Sequence, residues 1–298
     1  MDSTLSAYIL FWICILGLCL GSFYNVVILR SLSNESVVFP ASKCPKCGNK
    51  LKPWHNIPVL SYLFLRGKCA FCKEKISLQY PIIELVTMGL FALSFIKFGL
   101  SFKTLFAIII SSGLLIMTMT DLKEKLVDCN IAIGLALIGL LYGWLINGNI
   151  IDSFLGLVVG IAIIEAIAWS GFLIAKTRAL GEADTYVAGA IGACFGLNGL
   201  LLILLYSLIA SMFFIIPMFL YKQFKNGNKL TCILFILFTL SVLVFKTVVQ
   251  NWFSFGALII LGLSLTYTIL KNIKSEENHL YLPLVPAFAI GTLYFLFF

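Results

Sequence analysis

The chain has 298 residues, of which 61% are hydrophobic and 11% are charged, and its mean hydropathy is +1.04. Soluble globular domains are about 45–50% apolar and about 25% charged, so this composition excludes a soluble fold and indicates that a lipid bilayer surrounds most of the chain. The formal net charge is +8, but the basic residues lie between apolar segments, where they indicate membrane topology and predict no nucleic-acid partner.

Apolar segments of about 17–25 residues, long enough to cross a bilayer, follow one another along the chain. The first is too long for a signal-peptide core and lacks a small-residue cleavage site, so we expect a retained membrane helix. A shorter run at 186–197 precedes a turn signal at Asn198-Gly199. The sequence therefore predicts an all-α polytopic membrane protein with about 8–10 transmembrane helices. The longer segments lie near 7–29, 80–99, 103–120, 129–147, 152–174, 199–220, 230–249, 253–272 and 280–298.

A polar, basic loop at 30–79 separates the first two apolar segments. By the positive-inside rule this loop is predicted to lie in the cytoplasm, with the N-terminus outside. The basic loops at 121–128 and 175–185 then fall on the same side. Later basic residues also fall inside if the short run at 186–197 is itself a crossing, so the charge pattern favours ten crossings, one of them short. The basic residues of the first loop are Arg30, Lys43, Lys46, Lys50, Lys52, Arg66, Lys68, Lys73 and Lys75.

The loop contains two Cys-x-x-Cys pairs, which suit a tetrahedral metal ion because each pair can grip one edge of the ion. Residues 48–68 separate the pairs, slightly more than the usual spacing of about 15–20 residues, and Gly48 suits the turn after the first pair. We expect structural zinc, because a closed site of four thiolates leaves no position for water. The alternative is two disulfides, which a reducing cytoplasm disfavours. The paired cysteines are Cys44, Cys47, Cys69 and Cys72, and the packing cysteines of the apolar segments are Cys14, Cys19, Cys129, Cys194 and Cys232.

Acidic residues in or beside membrane segments are costly and are functional candidates. Asp121 ends one apolar segment and Asp184 opens another, and the topology places both at the same membrane face. If they approach, one carboxylate keeps a proton, which supplies a general base and a general acid as in aspartic proteases. The alternative is two solvated surface aspartates. Four other acids are candidates. Asp152 is interpreted as a solvated outer-loop residue, and Glu165 lies inside an apolar segment with a partner that the sequence does not identify. The remaining two are Glu84 and Asp128.

Small residues surround Asp184 and continue along 188–196. Small side chains on one helix face let neighbouring helices approach closely. Gly181 and Ala183 also leave room beside Asp184 for an extended substrate.

Ordered motifs run along nearly the whole chain, at 21–30, 44–72, 55–69, 76–85 and 282–291. Gly21-Ser22-Phe23-Tyr24-Asn25 begins the first of them, which ends the first helix. Together these motifs resemble those of the type IV prepilin leader peptidase family, and the paired cysteines match the family's zinc-binding loop.

The resemblance implies a membrane aspartic endopeptidase that cleaves the basic leader of type IV prepilins or pseudopilins after a glycine, at the cytoplasmic membrane face. It implies that Asp121 and Asp184 are the catalytic pair and that the four paired cysteines bind Zn²⁺. Many members of the family then N-methylate the new terminus with S-adenosylmethionine. The expected location is the bacterial cytoplasmic (inner) membrane, with precursors and the lipid bilayer as partners and with the loop and both aspartates on the cytoplasmic side.

We therefore predict a first transmembrane helix at 1–29, a cytoplasmic zinc-binding loop at 30–79 and a multi-helix membrane peptidase domain at 80–298. Two extra spans near 230–272 lie before the last motif. The chain departs from the family pattern at 181–184, which reads Gly-Glu-Ala-Asp in place of G-x-G-D, at Tyr186, where a lysine is usual, and at 125–128, which is shorter and lacks a proline.

Two other functions fit parts of this pattern. A catalytically silent scaffold would keep the fold and the loop and bind pilin precursors without cutting them, as the altered residues around Asp184 allow. A transporter would use the intramembrane acids as a proton relay, but it would not need the cysteine loop.

Overall fold

The computed structural model describes residues 3–33, 36, 38–39, 42–146, 148–175, 181–225, 227, 229–237, 260, 264 and 284–298. Within these residues the chain is helical apart from loops, a short 3₁₀ turn and two isolated β-bridges, which confirms the all-α prediction. The helices are α1 (Ser3–Ser33), α2 (Leu60–Phe64), α3 (Gln79–Phe98), α4 (Phe102–Glu124), α5 (Cys129–Leu145), α6 (Ile150–Ala175), α7 (Glu182–Lys225) and α8 (Val285–Phe297), and residues 229–237 are also helical.

Five helical segments of the described chain are long and apolar enough to cross a membrane, which agrees with a polytopic membrane protein. α5 and α8 are apolar but shorter, with 17 and 13 residues. The predicted spans near 230–249 and 253–272 fall mostly outside the described residues. The five segments are Thr4–Ser33, Gln79–Phe98, Phe102–Glu124, Ile150–Ser170 and Glu182–Ser211.

α1 and α3 pack against each other in opposite directions. A Cβ atom on Gly17 would lie 2.7 Å from the Cα of Met88, and one on Gly21 would lie 2.7 Å from the Cα of Glu84. Further along, Asn25 Nδ2 donates a hydrogen bond to the carbonyl of Tyr80 at 3.2 Å. The cysteine loop, which joins the end of α1 to the start of α3, therefore leaves from one end of the bundle.

Small residues let α7 approach α5 and α6 closely. A Cβ on Gly160 would lie 2.6 Å from the carbonyl oxygen of Ala188, and one on Gly139 would lie 2.7 Å from the backbone of Ala193. Gly156 faces Gly192 in the same way. The glycine-rich stretch that follows Asp184 is thus the contact surface between these helices.

The chain turns back on itself within α7, at Gly196, where the backbone leaves helical geometry with φ 69° and ψ −176°. α8 starts beside Asp121. Near its other end, the ring of Phe295 packs on the ring of Phe195, which lies just before the break in α7. After the break, Gly199 lies near Phe295, whereas Ser207 lies against Gly291, nearer the start of α8. The second half of α7 therefore returns toward the end from which the first half came. The predicted short run at 186–197 corresponds to the first half of α7, which ends at this turn.

The turn lies two residues before the Asn198-Gly199 position that the sequence favoured. A Cβ on Gly196 would collide with the Asp152 carboxylate, so only glycine fits there. The same carboxylate accepts a hydrogen bond from the N–H of Leu197 at 3.2 Å. This N–H lies at the start of the returning helix, where backbone donors have no partner within the helix. Asp152 lies in the first turn of α6 and supports this turn, and its interpretation as a solvated loop residue is wrong.

A buried apolar cluster joins α4 to α5, α7 and α8 and fixes the depth of Asp121. Leu114 and Met117 are fully buried on α4, and Met117 precedes Asp121 by about one helical turn. Val187, Leu200 and Val285 complete the same core from α7 and α8. Asp121 thus lies about one helical turn of α4 beyond the packed centre of the bundle.

Candidate active site and metal centre

Asp121 lies near the end of α4, which stops when Lys125 adopts a left-handed conformation with φ 56°. The side chain is buried, with 7% of its surface exposed. Its Oδ2 atom accepts a hydrogen bond from the N–H of Val285 at 3.2 Å, across 164 residues of sequence. Val285 is the first residue of α8, so its N–H has no partner inside that helix. Asp121 therefore caps α8 from another helix.

Asp184 caps its own helix. It is the third residue of α7, and its Oδ2 atom accepts a hydrogen bond from the N–H of Gly181 at 3.1 Å. The Asp184 N–H in turn donates to the Gly181 carbonyl at 3.3 Å. The third residue of a helix commonly bonds back to the capping position in this way, and the positive end of the helix dipole favours a carboxylate there. Asp184 is 8% exposed, so this backbone donor replaces water that burial removes.

The two aspartates that the sequence singled out come together in the structure. They lie close enough for the charge on Asp121 to act on Asp184. Each sits at the amino end of a helix, α8 for Asp121 and α7 for Asp184. The charge on Lys125 also acts on Asp121, whereas Tyr186, which occupies the position of the usual lysine, is exposed.

Glu165 lies near the aspartate pair, and the sequence did not predict this position. The hydroxyl of Thr185 donates to Glu165 Oε1 at 2.9 Å, and Thr185 directly follows Asp184. This contact identifies a partner for the carboxylate inside α6. The two residues are on different helices, so no helical period links them and the sequence carries no signal of the contact.

Asp128 has a local role. It is the residue before α5, and its Oδ1 atom accepts from the N–H and the side-chain amide of Asn130, both at 3.0 Å. Asp128 is therefore a helix cap at the start of α5.

Glu84 ties the cysteine loop to the membrane helices. It is buried on α3, and its Oε2 atom accepts a hydrogen bond from the N–H of Val59 at 2.7 Å. Val59 has φ 58°, which is unusual for a β-branched residue and is stabilised here by the contact. The start of α2 is thus held against the side of α3.

The paired cysteines form one cluster. The sulfur atoms of Cys44, Cys47, Cys69 and Cys72 all lie within 4.8 Å of one another, and Cys44 Sγ is 4.0 Å from Cys72 Sγ. A tetrahedral zinc ion with bonds of about 2.3 Å would separate its sulfur ligands by about 3.8 Å, so the cluster fits this ion. The cysteines of the chain are free thiols, and the two-disulfide arrangement is not observed.

The two cysteine turns have the same backbone geometry. The N–H of Gly48 donates to the Cys44 carbonyl at 2.9 Å, and the N–H of Lys73 donates to the Cys69 carbonyl at 3.1 Å. Gly48 and Lys73 both have a positive φ, 71° and 61°, so a lysine occupies in the second turn the place that glycine occupies in the first. Hydrogen bonds from the backbone of Cys72 and then of Phe71 lower the pKa of the Cys69 thiol to about 7.

Comparison with known families divides the chain into two matched regions. Residues 15–98 match the bacterial peptidase A24 N-terminal domain, and this region covers α1 from residue 15 onward, the cysteine loop and α3. Residues 108–216 match the type IV leader peptidase family, which covers Asp121, Glu165 and Asp184. No solved structure matches the chain.

Several curated proteins are similar over long stretches, and those described here carry the name prepilin leader peptidase/N-methyltransferase. The protein of Neisseria gonorrhoeae is 32% identical over 279 residues, which cover 84% of this chain and 96% of that protein. The protein of Myxococcus xanthus strain DK1622 is 34% identical over 194 residues, covering 65% of this chain and 58% of that protein. The protein of Bacillus subtilis strain 168 is 43% identical over 119 residues, covering 40% and 48%.

The match to the gonococcal protein runs almost from one end of that protein to the other, and the two family regions enclose both the cysteine cluster and the buried aspartates. The chain belongs to the type IV leader peptidase family.

Proposed function

We propose that this chain is a membrane aspartic endopeptidase that cleaves the leader of type IV prepilins or pseudopilins after a glycine, with Asp121 and Asp184 as the catalytic pair. The observation that carries the proposal is that two buried carboxylates, each held by the amino end of a helix, interact at one end of the bundle. The family match and the names of the relatives supply the substrate class.

Two carboxylates in one poorly solvated site hold a single proton between them. The ionised carboxylate takes a proton from a water molecule, whose oxygen attacks the scissile carbonyl carbon. The protonated carboxylate gives its proton to the carbonyl oxygen. The tetrahedral intermediate then collapses and the C–N bond breaks. The leaving amine takes up the proton that the first carboxylate had accepted, and one hydroxyl group of the intermediate returns its proton to the second carboxylate as the carbonyl re-forms, so the pair again holds a single proton.

The proposed reaction takes place at the cytoplasmic face. α3 starts and α4 ends at the same end of the bundle, because the two helices are consecutive and joined by a short turn. Asp121, near the end of α4, is therefore at the end that carries the cysteine loop. The excess of basic residues in that loop supports a cytoplasmic position.

We also propose a second activity, methylation of the new terminal amine with S-adenosylmethionine. The names of the relatives support it, since each combines leader peptidase with N-methyltransferase. In the loop, the four paired cysteines would hold a structural Zn²⁺, which would stabilise the loop and leave no open coordination position.

The peptidase proposal predicts that Asp121→Asn and Asp184→Asn each lower the rate of cleavage by about 10²–10⁴-fold, because each removes a proton carrier of the reaction. The chain would be co-expressed with a type IV prepilin, and the precursor would be followed by mass spectrometry. Loss of the leader after the glycine is the expected product, and an added methyl mass would report the second activity.

Asp128→Asn is the matched control, because it makes the same change close to Asp121 while asparagine keeps the helix cap. This variant should cleave like the unaltered chain. Full cleavage by either dyad variant would refute the catalytic assignment. A precursor that crosslinks to the unaltered chain but stays uncut would instead favour the silent scaffold. The family match already favours a peptidase over a proton-coupled transporter.

A further inference from the structure

The cysteine loop carries an apolar helix face that no described residue covers. Leu60, Leu63 and Phe64 of α2 are 52%, 63% and 83% exposed, and their spacing places them on one side of the helix. The opposite side is packed, because the ring of Tyr62 lies against Gly67. Trp54 and Ile57, just before α2, are also exposed. A water-facing helix would not normally present such a surface.

The position of α2 along the membrane normal follows from its anchor. Glu84 is the sixth residue of α3, so it lies about 7.5 Å along the helix axis from Gln79. α3 has 20 residues, the length needed to cross the hydrocarbon core, so its first residue marks the membrane boundary. The hydrogen bond from Val59 to Glu84 therefore holds the start of α2 near that boundary.

Positive charge surrounds this apolar face. Lys52, Arg66 and Lys68 flank α2 and are exposed, and the Lys52 ammonium lies 5.2 Å from the centre of the Trp54 ring. Residues 42–78 contain eight lysines or arginines and one acid, Glu74. Tryptophan beside lysine is typical of the membrane interface, and clustered cations attract anionic headgroups.

We infer that α2 lies in the membrane interface and that the cysteine loop binds anionic phospholipid headgroups through the basic residues around α2. Leu63 and Phe64 insert among the acyl chains nearest the headgroups, while Lys52, Arg66 and Lys68 contact phosphate groups. The loop would thus bind more strongly to membranes with more anionic lipid, whether or not the chain is an active peptidase.

The test uses the full-length chain in lipid nanodiscs, with a photo-crosslinking benzoylphenylalanine in place of Phe64. Illumination should yield a lipid adduct on the peptide that contains residue 64, detected by mass spectrometry. The adduct should form with phosphatidylglycerol severalfold more than with phosphatidylcholine when both are present in equal amounts. The triple variant Lys52→Gln, Arg66→Gln, Lys68→Gln should lose this preference.

Phe71 is the matched control position, because it is also an exposed phenylalanine of the loop but its ring packs on His55, with ring centres 5.5 Å apart. The same crosslinker there should give little lipid adduct. Metal content of each variant should stay unchanged, which shows that the loop is still folded. A crosslink from position 64 to another segment of this chain, or to a co-purified protein, would overturn the proposal. So would equal adducts at positions 64 and 71, or no preference between the two lipids.

Discussion

At the scale of single residues, the candidate site is built from backbone donors as much as from side chains. Asp121 and Asp184 each accept one N–H group at the start of a helix, from Val285 and Gly181. Their residue type and their place at the ends of apolar segments were visible in the sequence. The contact between Asp121 and Val285 was not, because it joins positions 164 residues apart through the tertiary fold.

Thr185 is the residue that links the dyad to Glu165, and we expect it to position Asp184. Thr185→Val keeps the shape of the side chain but removes the hydrogen bond to Glu165, worth about 1 kcal/mol, so the first turn of α7 loosens. The expected result is a fall of roughly tenfold in kcat/KM for leader cleavage, measured with purified enzyme and a prepilin substrate.

The conservative variants Thr185→Ser and Glu165→Gln serve as the rescue controls, since the first keeps the donor and the second keeps an acceptor. Both should retain most of the activity. If Thr185→Val cleaved at the rate of the unaltered chain, the hydrogen bond would have no positioning role.

At the scale of elements, α7 shows how far local signals reach. The sequence predicted a short apolar run followed by a longer one, and the structure has two helical halves joined by a turn. The sequence favoured a turn at Asn198-Gly199, because that pair is a frequent turn signal. The actual position, Gly196, depends on the Asp152 carboxylate of another helix, which leaves no room for a Cβ atom. Local sequence cannot report such a contact.

Gly196→Ala should destabilise the protein, because alanine disfavours the positive φ and its methyl group would collide with Asp152. The expected loss is at least about 1–2 kcal/mol of unfolding free energy, seen as a lower midpoint in thermal unfolding of the detergent-purified chain. Gly134→Ala, in the open face of α5 with nothing within 4 Å of the added methyl, should leave the midpoint unchanged or raise it. Equal midpoints for the two variants would contradict the role of Gly196.

At the scale of the whole molecule, the cysteine loop and the helical bundle are held by different sets of contacts. The four cysteines and their turns hold the loop, and Glu84 attaches it to α3. The sequence predicted the cysteine cluster, because the two cysteines of each pair are close in sequence and one loop has to bring only the two pairs together. The attachment through Glu84 and Val59 was not predicted, since it depends on how the loop folds back onto α3.

Removal of the metal by a chelator should therefore unfold the loop and leave the bundle intact. Few apolar side chains are buried inside the loop, so the proposed zinc supplies most of its folding free energy. Limited trypsin digestion should then cut at Lys43 to Lys75, while cleavage at the other basic loops of the chain stays at its level in the metal-loaded protein. Readdition of Zn²⁺ should restore protection. Simultaneous loss of both regions would show that the loop and the bundle fold as one unit.

The hydrogen bond between Asp121 and Val285 has a consequence for the biogenesis of the enzyme. α4 leaves the ribosome long before α8, so the Asp121 carboxylate has no backbone partner during most of the synthesis of the chain. The proposed active site would be completed only when α8 enters the membrane and brings its amino end to α4. Insertion of that helix is thus the step that would mature the peptidase, and a nascent chain still being made would not yet be able to cut its neighbours in the membrane.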